Sequence, residues 1–365
     1  MSMMVLLLFV LGLVLLIVGA EALVKGSSRL AAALGISPLV IGLTVVAYGT
    51  GSAELAVSIH AGLSGQADLA LGNVVGSNIF NVLFLLGLAA IITPLVVSQQ
   101  LIRYEVPLMI AVSLLVLLLA LDGRLSRLDG LLLFSINVVY VVWAIRQSRR
   151  EKQPVKEEYE RQYGARSRSP QWLVNLALII AGLGLLVLGS RWLVEGAVVV
   201  AQALGLSELI IGLTIIAAGT SLPEVATSII ASLRRERDIA VGNVVGSNIF
   251  NLLAVLGLAS LFAPHGVKVP PAALRFDIPV MMAVAFACLP VFFTGFRIGR
   301  REGALLFACY LAYTLYLILD ATGHDRVEAF SLILFKYVTP LVALTLILLA
   351  AHAWHRRQHG PAEGV

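Results

Sequence analysis

The sequence contains two near copies of one segment, 170 residues apart. Residues 33–82 align with residues 203–252 without a gap, and 30 of the 50 positions are identical. Gly72–Asn81 recurs letter for letter as Gly242–Asn251. This internal duplication constrains the fold more than any other feature, because both copies must adopt one structure that packs against its own repeat.

Both copies lie in a chain that is too apolar for a water-soluble domain. Hydrophobic residues make up 59% and charged residues 13% of the sequence, and the mean hydropathy is +0.95. Soluble domains carry about 25% charged residues. The net charge of +5 is therefore assigned to loops at the cytoplasmic face of a membrane and not to nucleic-acid binding.

Apolar stretches of about 20 residues, long enough to cross a bilayer, recur along the whole chain. They predict eleven spans, near residues 3–23, 37–61, 69–94, 105–121, 128–145, 172–193, 207–232, 238–263, 276–295, 302–320 and 328–352. We divide the chain into a first repeat (1–145), a polar cytoplasmic linker (146–170), a second repeat (171–321) and an additional helix with a tail (322–365). The expected fold is an all-α membrane protein of two five-helix repeats, giving ten core helices plus one C-terminal helix.

The charge distribution predicts that the repeats have opposite orientations. Residues 61–68 contain no Lys or Arg, whereas the matching loop, residues 231–238, contains three. Five spans per repeat, an odd number, gives the same inversion. With the N-terminus outside and the C-terminus cytoplasmic, 19 of the 26 Lys and Arg residues lie on the cytoplasmic side of a plasma membrane. Inverted repeats are typical of secondary transporters, whose site lies at the repeat interface near mid-membrane.

Polar side chains recur at helical spacing inside two of the duplicated spans. A spacing of four residues places them on one helix face. The matching sets are Thr50, Glu54 and Ser58 with Thr220, Glu224 and Ser228, and Asn73, Ser77 and Asn81 with Asn243, Ser247 and Asn251. A carboxylate at mid-bilayer costs about 2.5–3.5 kcal/mol on the lenient insertion scale. Because this cost recurs at matching positions, Glu54 and Glu224 are predicted to be functional.

The chemistry of these side chains indicates the ion. They offer only oxygen ligands and amides, and no His, Cys or Met occupies a position that the two motifs share. Hard cations such as Ca²⁺ take six to eight oxygens, whereas zinc and copper take nitrogen or sulfur. Calcium fits best, and sodium can compete for the same oxygens. Asn73 and Asn243 either join this set or hydrogen-bond between helices.

Local glycines predict how the helices approach the ion. Gly49 and Gly51 precede Glu54, and glycine in a membrane span loosens the helix and frees carbonyl groups. The GxxxG spacing of Gly242 and Gly246, like that of Gly72 and Gly76, allows another helix to approach closely. The sequence contains no paired nucleophile and base, so we do not expect an enzyme.

The run from Gly219 to Glu224, followed by Gly242–Asn248, resembles the alpha-repeat signature of the sodium/calcium exchangers of the calcium/cation antiporter superfamily. The resemblance covers both repeats. It implies a prokaryotic antiporter that exchanges Ca²⁺ for Na⁺ by alternating access, with the transported ions and no other cofactor. It also implies a ligand set: Glu54, Glu224, Thr50 and Thr220 for the metal, with further oxygens from Ser77, Ser221, Ser247, Asn81, Asn251 and the carbonyls of Ala47 and Ala217.

The first copy departs from the family pattern. Gly51 and Ala53 stand where the family has Ser and Pro, and Ser52 is one residue away from the missing hydroxyl. The number of sodium ions is therefore open, as is Ca²⁺/H⁺ exchange through Glu54 and Glu224. The amides Asn81 and Asn251 argue against potassium co-transport. A cation channel is the alternative from a different functional class. If the protein is a transporter, the first and sixth spans are expected to slide and so expose the bound ion to either side of the membrane.

Overall fold

The computed structural model describes residues 3–150, 172–204, 215, 217–293 and 296–323. In the first half, α1 is Met3–Leu34, α2 is Pro38–Thr50, α3 is Ser52–Leu63, α4 runs from Ala67–Phe80 through the π-helical segment Asn81–Leu86 into Gly87–Ile92, β1 is Leu95–Val96, α5 is Leu101–Asp122, β2 is Arg124–Leu125 and α6 is Arg127–Arg150. Every one of these elements has a counterpart, at least in part, in the second half.

In the second half, α7 is Trp172–Ala203, α8 is Ala217–Gly219, α9 is Leu222–Leu233, α10 is Arg237–Phe262 with a π-helical segment at Asn251–Val255, β3 is Val267–Lys268, α11 is Ala273–Phe293, β4 is Arg297–Ile298 and α12 is Arg300–Ala321. Within the described residues, eight helices are long and apolar enough to span a membrane, and the bent pair α2 and α3 makes a ninth. The predicted eleventh span lies outside the described residues, as does part of the seventh.

Several helix ends differ from the sequence prediction. The first and sixth helices each have 32 residues, well beyond the predicted 3–23 and 172–193. Lys25 and Arg29 therefore lie within α1 instead of in a loop. The fifth span continues to Arg150, four residues past the predicted start of the linker. Charged residues at the ends of long helices misled the hydropathy criterion, because their stems can cover apolar surface while the charge reaches water.

The second span is broken at Gly51. Helices α2 and α3 meet at an angle of 48°, which confirms the expectation that glycine interrupts the helix there. Thr50 ends α2, whereas Glu54 and Ser58 belong to α3. The predicted stripe on one continuous helix is therefore wrong, since the bend divides it between two helices.

The two long helices α1 and α7 show the inversion directly. A Cβ atom at Gly12 would lie 2.8 Å from the Gly189 carbonyl oxygen, and one at Gly19 would lie 2.8 Å from that of Gly182. The order of contacts is reversed along the two helices, so they are antiparallel. Gly12 matches Gly182 in the duplication, and Gly19 matches Gly189. Equivalent helices therefore run in opposite directions, and the missing side chains let their backbones touch.

The four short strands give the same result by a separate route. β1 pairs with β4 and β2 pairs with β3, both antiparallel. One span separates β1 from β2, and another separates β3 from β4, so the two strand pairs lie on opposite faces of the membrane. By position, β3 is the counterpart of β1, and the two lie on opposite faces. The repeats are inverted.

Helices α4 and α10 form the centre of the molecule, where most of their residues are buried. Close approach on the α10 side uses its glycines. A Cβ at Gly242 would lie 2.9 Å from the Leu39 carbonyl oxygen, and one at Gly246 would lie 2.6 Å from the Leu43 Cα. The GxxxG prediction is confirmed for this pair. An ideal Cβ at Gly72 or Gly76 would meet no other described segment of the chain within 4 Å.

Candidate cation-binding site

The two acidic residues singled out by the duplication meet inside the protein. Glu54 and Glu224 are each 1% exposed, and their carboxyl groups are close enough to interact electrostatically. The Ser221 hydroxyl, from the second repeat, donates a hydrogen bond of 3.0 Å to Oε1 of Glu54, from the first repeat. The site is therefore shared between the halves of the chain.

The helix breaks explain how two carboxylates can be held there. Each glutamate lies in the first turn of a helix, α3 or α9, directly after the interruption. Pro223 occupies the start of α9, where its fixed φ and missing N–H fit a helix N-terminus. The unsatisfied N–H groups and the positive dipole end of that turn stabilise negative charge.

Threonine side chains lie at the ends of the preceding helical segments. The Thr50 hydroxyl donates to the Val46 carbonyl at 3.1 Å, lies 3.3 Å from Oδ1 of Asn243, and also interacts with the Glu224 carboxylate. Oγ1 of Thr220 is buried and has no hydrogen-bond partner among the described residues. Thr50 is therefore already engaged, whereas the Thr220 hydroxyl has no such partner within the described part of the chain.

Four asparagines connect α4 to α10. The Asn81 amide donates to Oδ1 of Asn248 at 3.1 Å, and the Asn251 amide donates to Oδ1 of Asn78 at 3.2 Å. Asn78 and Asn248 in turn donate to each other's backbone carbonyls, at 3.3 and 3.4 Å. This symmetric arrangement accounts for Asn78 and Asn248 as packing residues. It also fixes the orientation of Asn81 and Asn251.

A second asparagine pair connects each centre helix to its neighbour. The Asn73 amide donates to Oγ of Ser58 at 3.0 Å and to the Glu54 carbonyl at 3.3 Å. Asn243 repeats these bonds to Ser228, at 2.9 Å, and to the Glu224 carbonyl, at 3.4 Å. The geometry favours the packing interpretation of Asn73 and Asn243 over a direct ligand role.

What remains is a set of buried oxygen atoms without hydrogen-bond partners in the described part of the chain. Those at the site are Oε2 of Glu54, Oε2 of Glu224, Oδ1 of Asn81, Oδ1 of Asn251, Oγ of Ser247 and Oγ1 of Thr220, while others, such as Oγ of Ser27 and Oδ1 of Asn175, lie elsewhere. An unsatisfied buried polar group costs about 1–3 kcal/mol, so a native protein rarely keeps so many without a purpose. The six at the site belong to residues named from the sequence, and a hard cation prefers such oxygens.

Some of the named atoms are placed differently. Ser52 is exposed, and its hydroxyl donates to the Gly49 carbonyl at 2.7 Å, so it lies outside the cluster and does not replace the hydroxyl missing at Gly51. The Ala47 carbonyl accepts the Gly51 amide at 2.9 Å. In the second copy, the Ser221 amide bonds one residue later, to the Ala218 carbonyl at 3.2 Å. The carbonyls of Ala47 and Ala217 are therefore not equivalent.

The sequence analysis missed a second pair of membrane carboxylates. Glu105 in α5 is fully buried, accepts a hydrogen bond of 2.9 Å from Gln100, and interacts with Tyr140. Asp277 in α11 accepts a hydrogen bond of 3.2 Å from Tyr313. Each acid and each tyrosine recurs with an offset of 172 or 173 residues. These residues lie outside the gap-free alignment of residues 33–82, whose offset is 170, because short insertions change the offset in this part of the chain.

An aromatic pair next to Gly51 was also missed. The rings of Tyr48 and Phe250 have centroids 4.2 Å apart, and the Tyr48 hydroxyl donates to Oδ1 of Asn137 at 2.5 Å. In the duplication, Tyr48 matches Ala218. This mismatch was visible in the alignment of the copies, but nothing in the sequence indicated what the ring contacts.

Comparison with known proteins places these features in context. The profile of the family described as sodium/calcium exchanger protein matches residues 4–146 and 174–319. The CaxA protein of Alkalimonas amylolytica, described as a candidate antiporter, is 43% identical over 307 residues, covering 83% of this chain and 95% of its own. The sodium/calcium exchanger MaX1 of Methanosarcina acetivorans is 31% identical over 343 residues, covering 85% of this chain and 97% of its own.

The fold resembles solved structures as well. The sodium-calcium exchanger NCX_Mj, in crystals soaked with zero Na⁺ and Ca²⁺, matches with a TM-score of 0.74 and 30% sequence identity. The match covers 87% of this chain and 100% of that structure. The similarity therefore extends over both repeats and the interface between them.

Proposed function

Because this chain belongs to the sodium/calcium exchanger protein family, a family of calcium/cation antiporters, we propose that Na⁺ is the ion it exchanges for Ca²⁺. The single observation that carries this proposal is the buried cluster in which Glu54 and Glu224, from opposite repeats, are surrounded by unpartnered oxygens. Two carboxylates balance one Ca²⁺, and the same oxygens suit Na⁺. Relatives named sodium/calcium exchangers, at 30% and 31% identity, support sodium as the partner ion.

The proposed binding set consists of the cluster residues. Glu54, Glu224, Thr50 and Thr220 bind Ca²⁺, and the hydroxyls of Ser77, Ser221 and Ser247 with the amide oxygens of Asn81 and Asn251 complete the shell. Helices α2, α3, α4, α8, α9 and α10 form the site, and Thr220 and Ser221 lie in the turn between α8 and α9. The carbonyls of Ala47 and Ala217 remain further candidates.

Alternating access is assigned to α1 and α7. These helices supply no cluster residue, and their glycine contacts hold them together as one antiparallel pair. Sliding of this pair along the six site-forming helices exposes the cluster to one side and then the other. An ion pair between Glu21 of α1 and Arg234, after α9, joins the moving and the stationary parts.

The protein is proposed to lie in the plasma membrane with its N-terminus outside. In this orientation the β1–β4 face is cytoplasmic, and Arg297, Arg300 and Arg301 lie there, as the positive-inside rule requires. Single cysteines at Ser64 and at Arg235, in a variant without Cys288 and Cys309, test it. A membrane-impermeant thiol reagent applied to intact cells is expected to label the first site and spare the second, and the opposite pattern would reverse the orientation.

Calcium flux tests the coupling. Vesicles that contain the protein are loaded with Na⁺ and diluted into sodium-free medium with calcium-45, and uptake is expected only with an outward sodium gradient. Collapsing that gradient with a sodium ionophore is the control. If an imposed sodium gradient drives no net calcium flux, sodium coupling is wrong.

Calcium/proton exchange is the second candidate, and Gly51 is the observation that favours it, since one expected hydroxyl is missing near the site. A pH gradient imposed without Na⁺ distinguishes the two. Uptake driven by that gradient alone identifies the proton as the coupling ion.

A further inference from the structure

The two halves of the cation cluster differ in chemistry, although the duplication makes them equivalent in position. In one half, Oγ of Ser221 lies 3.0 Å from Oε1 of Glu54 and 3.3 Å from Oγ of Ser77. A carboxylate and two hydroxyls thus lie within reach of one small cation. The matching positions in the other half are Glu224, Gly51 and Ser247, and the middle position has no oxygen.

A ring occupies the space beside Gly51. An ideal Cβ there would lie 2.9 Å from both Cδ1 and Cε1 of Phe250, closer than real Cβ atoms come to carbon. The Ala47 carbonyl oxygen is also 2.9 Å away, so a side chain at Gly51 requires a small backbone shift as well, toward the arrangement at Ser221, whose amide bonds to Ala218. Gly51 has φ −71° and ψ 3°, and Ser221 has the similar values −91° and 6°. The side-chain obstacle in this half is the Phe250 ring.

The position of that ring is fixed by residues that the other half lacks. Phe250 is 3% exposed and packs on Tyr48 with centroids 4.2 Å apart. Tyr48 is in turn held by its hydrogen bond to Asn137. In the second copy, Ala218 replaces Tyr48 and offers no ring to pack on.

The counterpart of Phe250 shows what happens without that support. Phe80 stacks on Phe84 at 4.6 Å and meets Tyr310 edge-on at 5.4 Å. The two phenylalanines are thus held by different partners, and Ser221 keeps its hydroxyl in the cluster while Gly51 faces a ring. The asymmetry arises at positions 48 and 51, which differ between the copies, around a phenylalanine that both copies share.

A ring edge cannot replace a hydroxyl for a small hard cation, which is bound by oxygen atoms. We infer that Gly51, with the Phe250 ring held against it by Tyr48, leaves the Glu224 half of the site without the hydroxyl that a monovalent cation needs there. Monovalent ions then bind at the Glu54 half, and each Ca²⁺ exchanges for one fewer of them than two complete halves would allow. This inference rests on the proposed exchange of Ca²⁺ for Na⁺.

Three variants test it against the unaltered protein. Gly51→Ser adds the hydroxyl but keeps the ring, Phe250→Leu removes the ring but adds no hydroxyl, and the double variant does both. The first is expected to lower thermal stability and transport, because the new Cβ and the ring compete for one space. Adding Phe250→Leu is expected to restore both, so that the effects of the two changes are not additive.

The readout is the number of sodium ions. Calcium self-exchange is measured with Ca²⁺ on both sides of the vesicle membrane, and Na⁺ is titrated in as an inhibitor. The Hill coefficient of this inhibition counts sodium ions without requiring that a sodium gradient drive calcium flux. The double variant is expected to raise this coefficient by about one, since cooperativity is bounded by the number of sites. Phe250→Leu alone, the matched control, leaves it unchanged. The reversal potential of sodium-driven calcium flux should shift as required by one more positive charge per Ca²⁺.

The possible failures are distinguishable. A sodium gradient that drives no net calcium flux in the unaltered protein contradicts the proposed function, while the inhibition assay still counts sodium ions. Equal Hill coefficients in the double variant and the unaltered protein, with calcium self-exchange intact in both, overturn the inference. A rise in Phe250→Leu as large as in the double variant also overturns it, because the hydroxyl would then play no part.

Discussion

Replacing Glu224 with Gln tests the site through its charge. The substitution keeps the shape of the side chain and removes one of two carboxylates that are 1% exposed. Removing one partner of a buried ion pair, here a carboxylate from a bound Ca²⁺, costs about 3–5 kcal/mol. At 1.4 kcal/mol per tenfold change, the calcium concentration for half-maximal transport is expected to rise between roughly 10²-fold and 4 × 10³-fold. The protein should still insert, since the change lowers the charge buried in the membrane.

Two measurements check this magnitude. Calcium-45 uptake across a wide range of Ca²⁺ gives the half-saturating concentration. Thermal unfolding in detergent measures Ca²⁺ binding separately from transport, because a bound ligand stabilises the folded protein. A ligand at 100 times its dissociation constant stabilises it by about 2.7 kcal/mol. For 365 residues, at about 2.1 cal/mol/K of unfolding entropy per residue, 1 kcal/mol corresponds to about 1.3 °C, so Ca²⁺ should raise the Tm of the unaltered protein by about 3–4 °C. Glu224→Gln should lose that shift at the same Ca²⁺ concentration.

The matched control is Glu105→Gln, which neutralises another fully buried carboxyl in α5, a helix that contributes none of the cluster residues. It is expected to keep both the calcium dependence of transport and the Ca²⁺-induced rise in Tm. Normal calcium affinity in Glu224→Gln would refute the site assignment. An equal loss in both variants would show that buried charge in general, and not the cluster, sets the calcium affinity.

Two further predictions concern the packing. Gly182→Ala should destabilise the α1–α7 pair and slow transport, because its Cβ would lie 2.7 Å from the Leu23 backbone nitrogen; Gly184→Ala, where nothing lies within 4 Å among the described residues, should not. Equal Tm values and rates in the two variants would contradict this. Asn78→Ala should lower the stability by about 1–3 kcal/mol, because the buried Asn251 amide loses its acceptor. Denaturant unfolding in detergent measures that loss, and an unchanged midpoint would show that the asparagine connection is dispensable.

The inverted architecture could be predicted from the sequence because two independent signals agreed. The duplication defined the repeats, and three arginines in the loop 231–238, against none in 61–68, gave their opposite orientation. Glu54 and Glu224 stood out because a membrane carboxylate is costly and this one occurred twice at an identical offset. These signals are local in the sequence, so they need no knowledge of packing.

The rest depended on contacts between distant segments. Whether Asn243 binds an ion or a neighbouring helix was decided by its hydrogen bonds to Ser228 and to the Glu224 carbonyl. Ser52 could be excluded only once the bend at Gly51 had placed its hydroxyl on Gly49. No rule based on spacing gives the direction of a side chain after a 48° bend.

The position of Phe250 shows the same limit. Both copies have phenylalanine at this position, but the residues around it differ. The first copy has Tyr48 and Gly51 where the second has Ala218 and Ser221. A pattern search treats identical residues as equivalent. The packing of a side chain depends on the partners that surround it, and these come from elsewhere in the chain.

The crossed pairing of the strands has a consequence for how the protein is made. β1 finds its partner only in β4, about 200 residues later, and β2 finds its partner only in β3. The first half is therefore synthesised before either of its strands, β1 or β2, has a partner. Both strand pairs form only after the second half has been made. Contacts of such long sequence separation form late. Assembly resembles the association of two subunits, so the halves expressed as separate polypeptides, cut within 151–171, should find each other in the membrane.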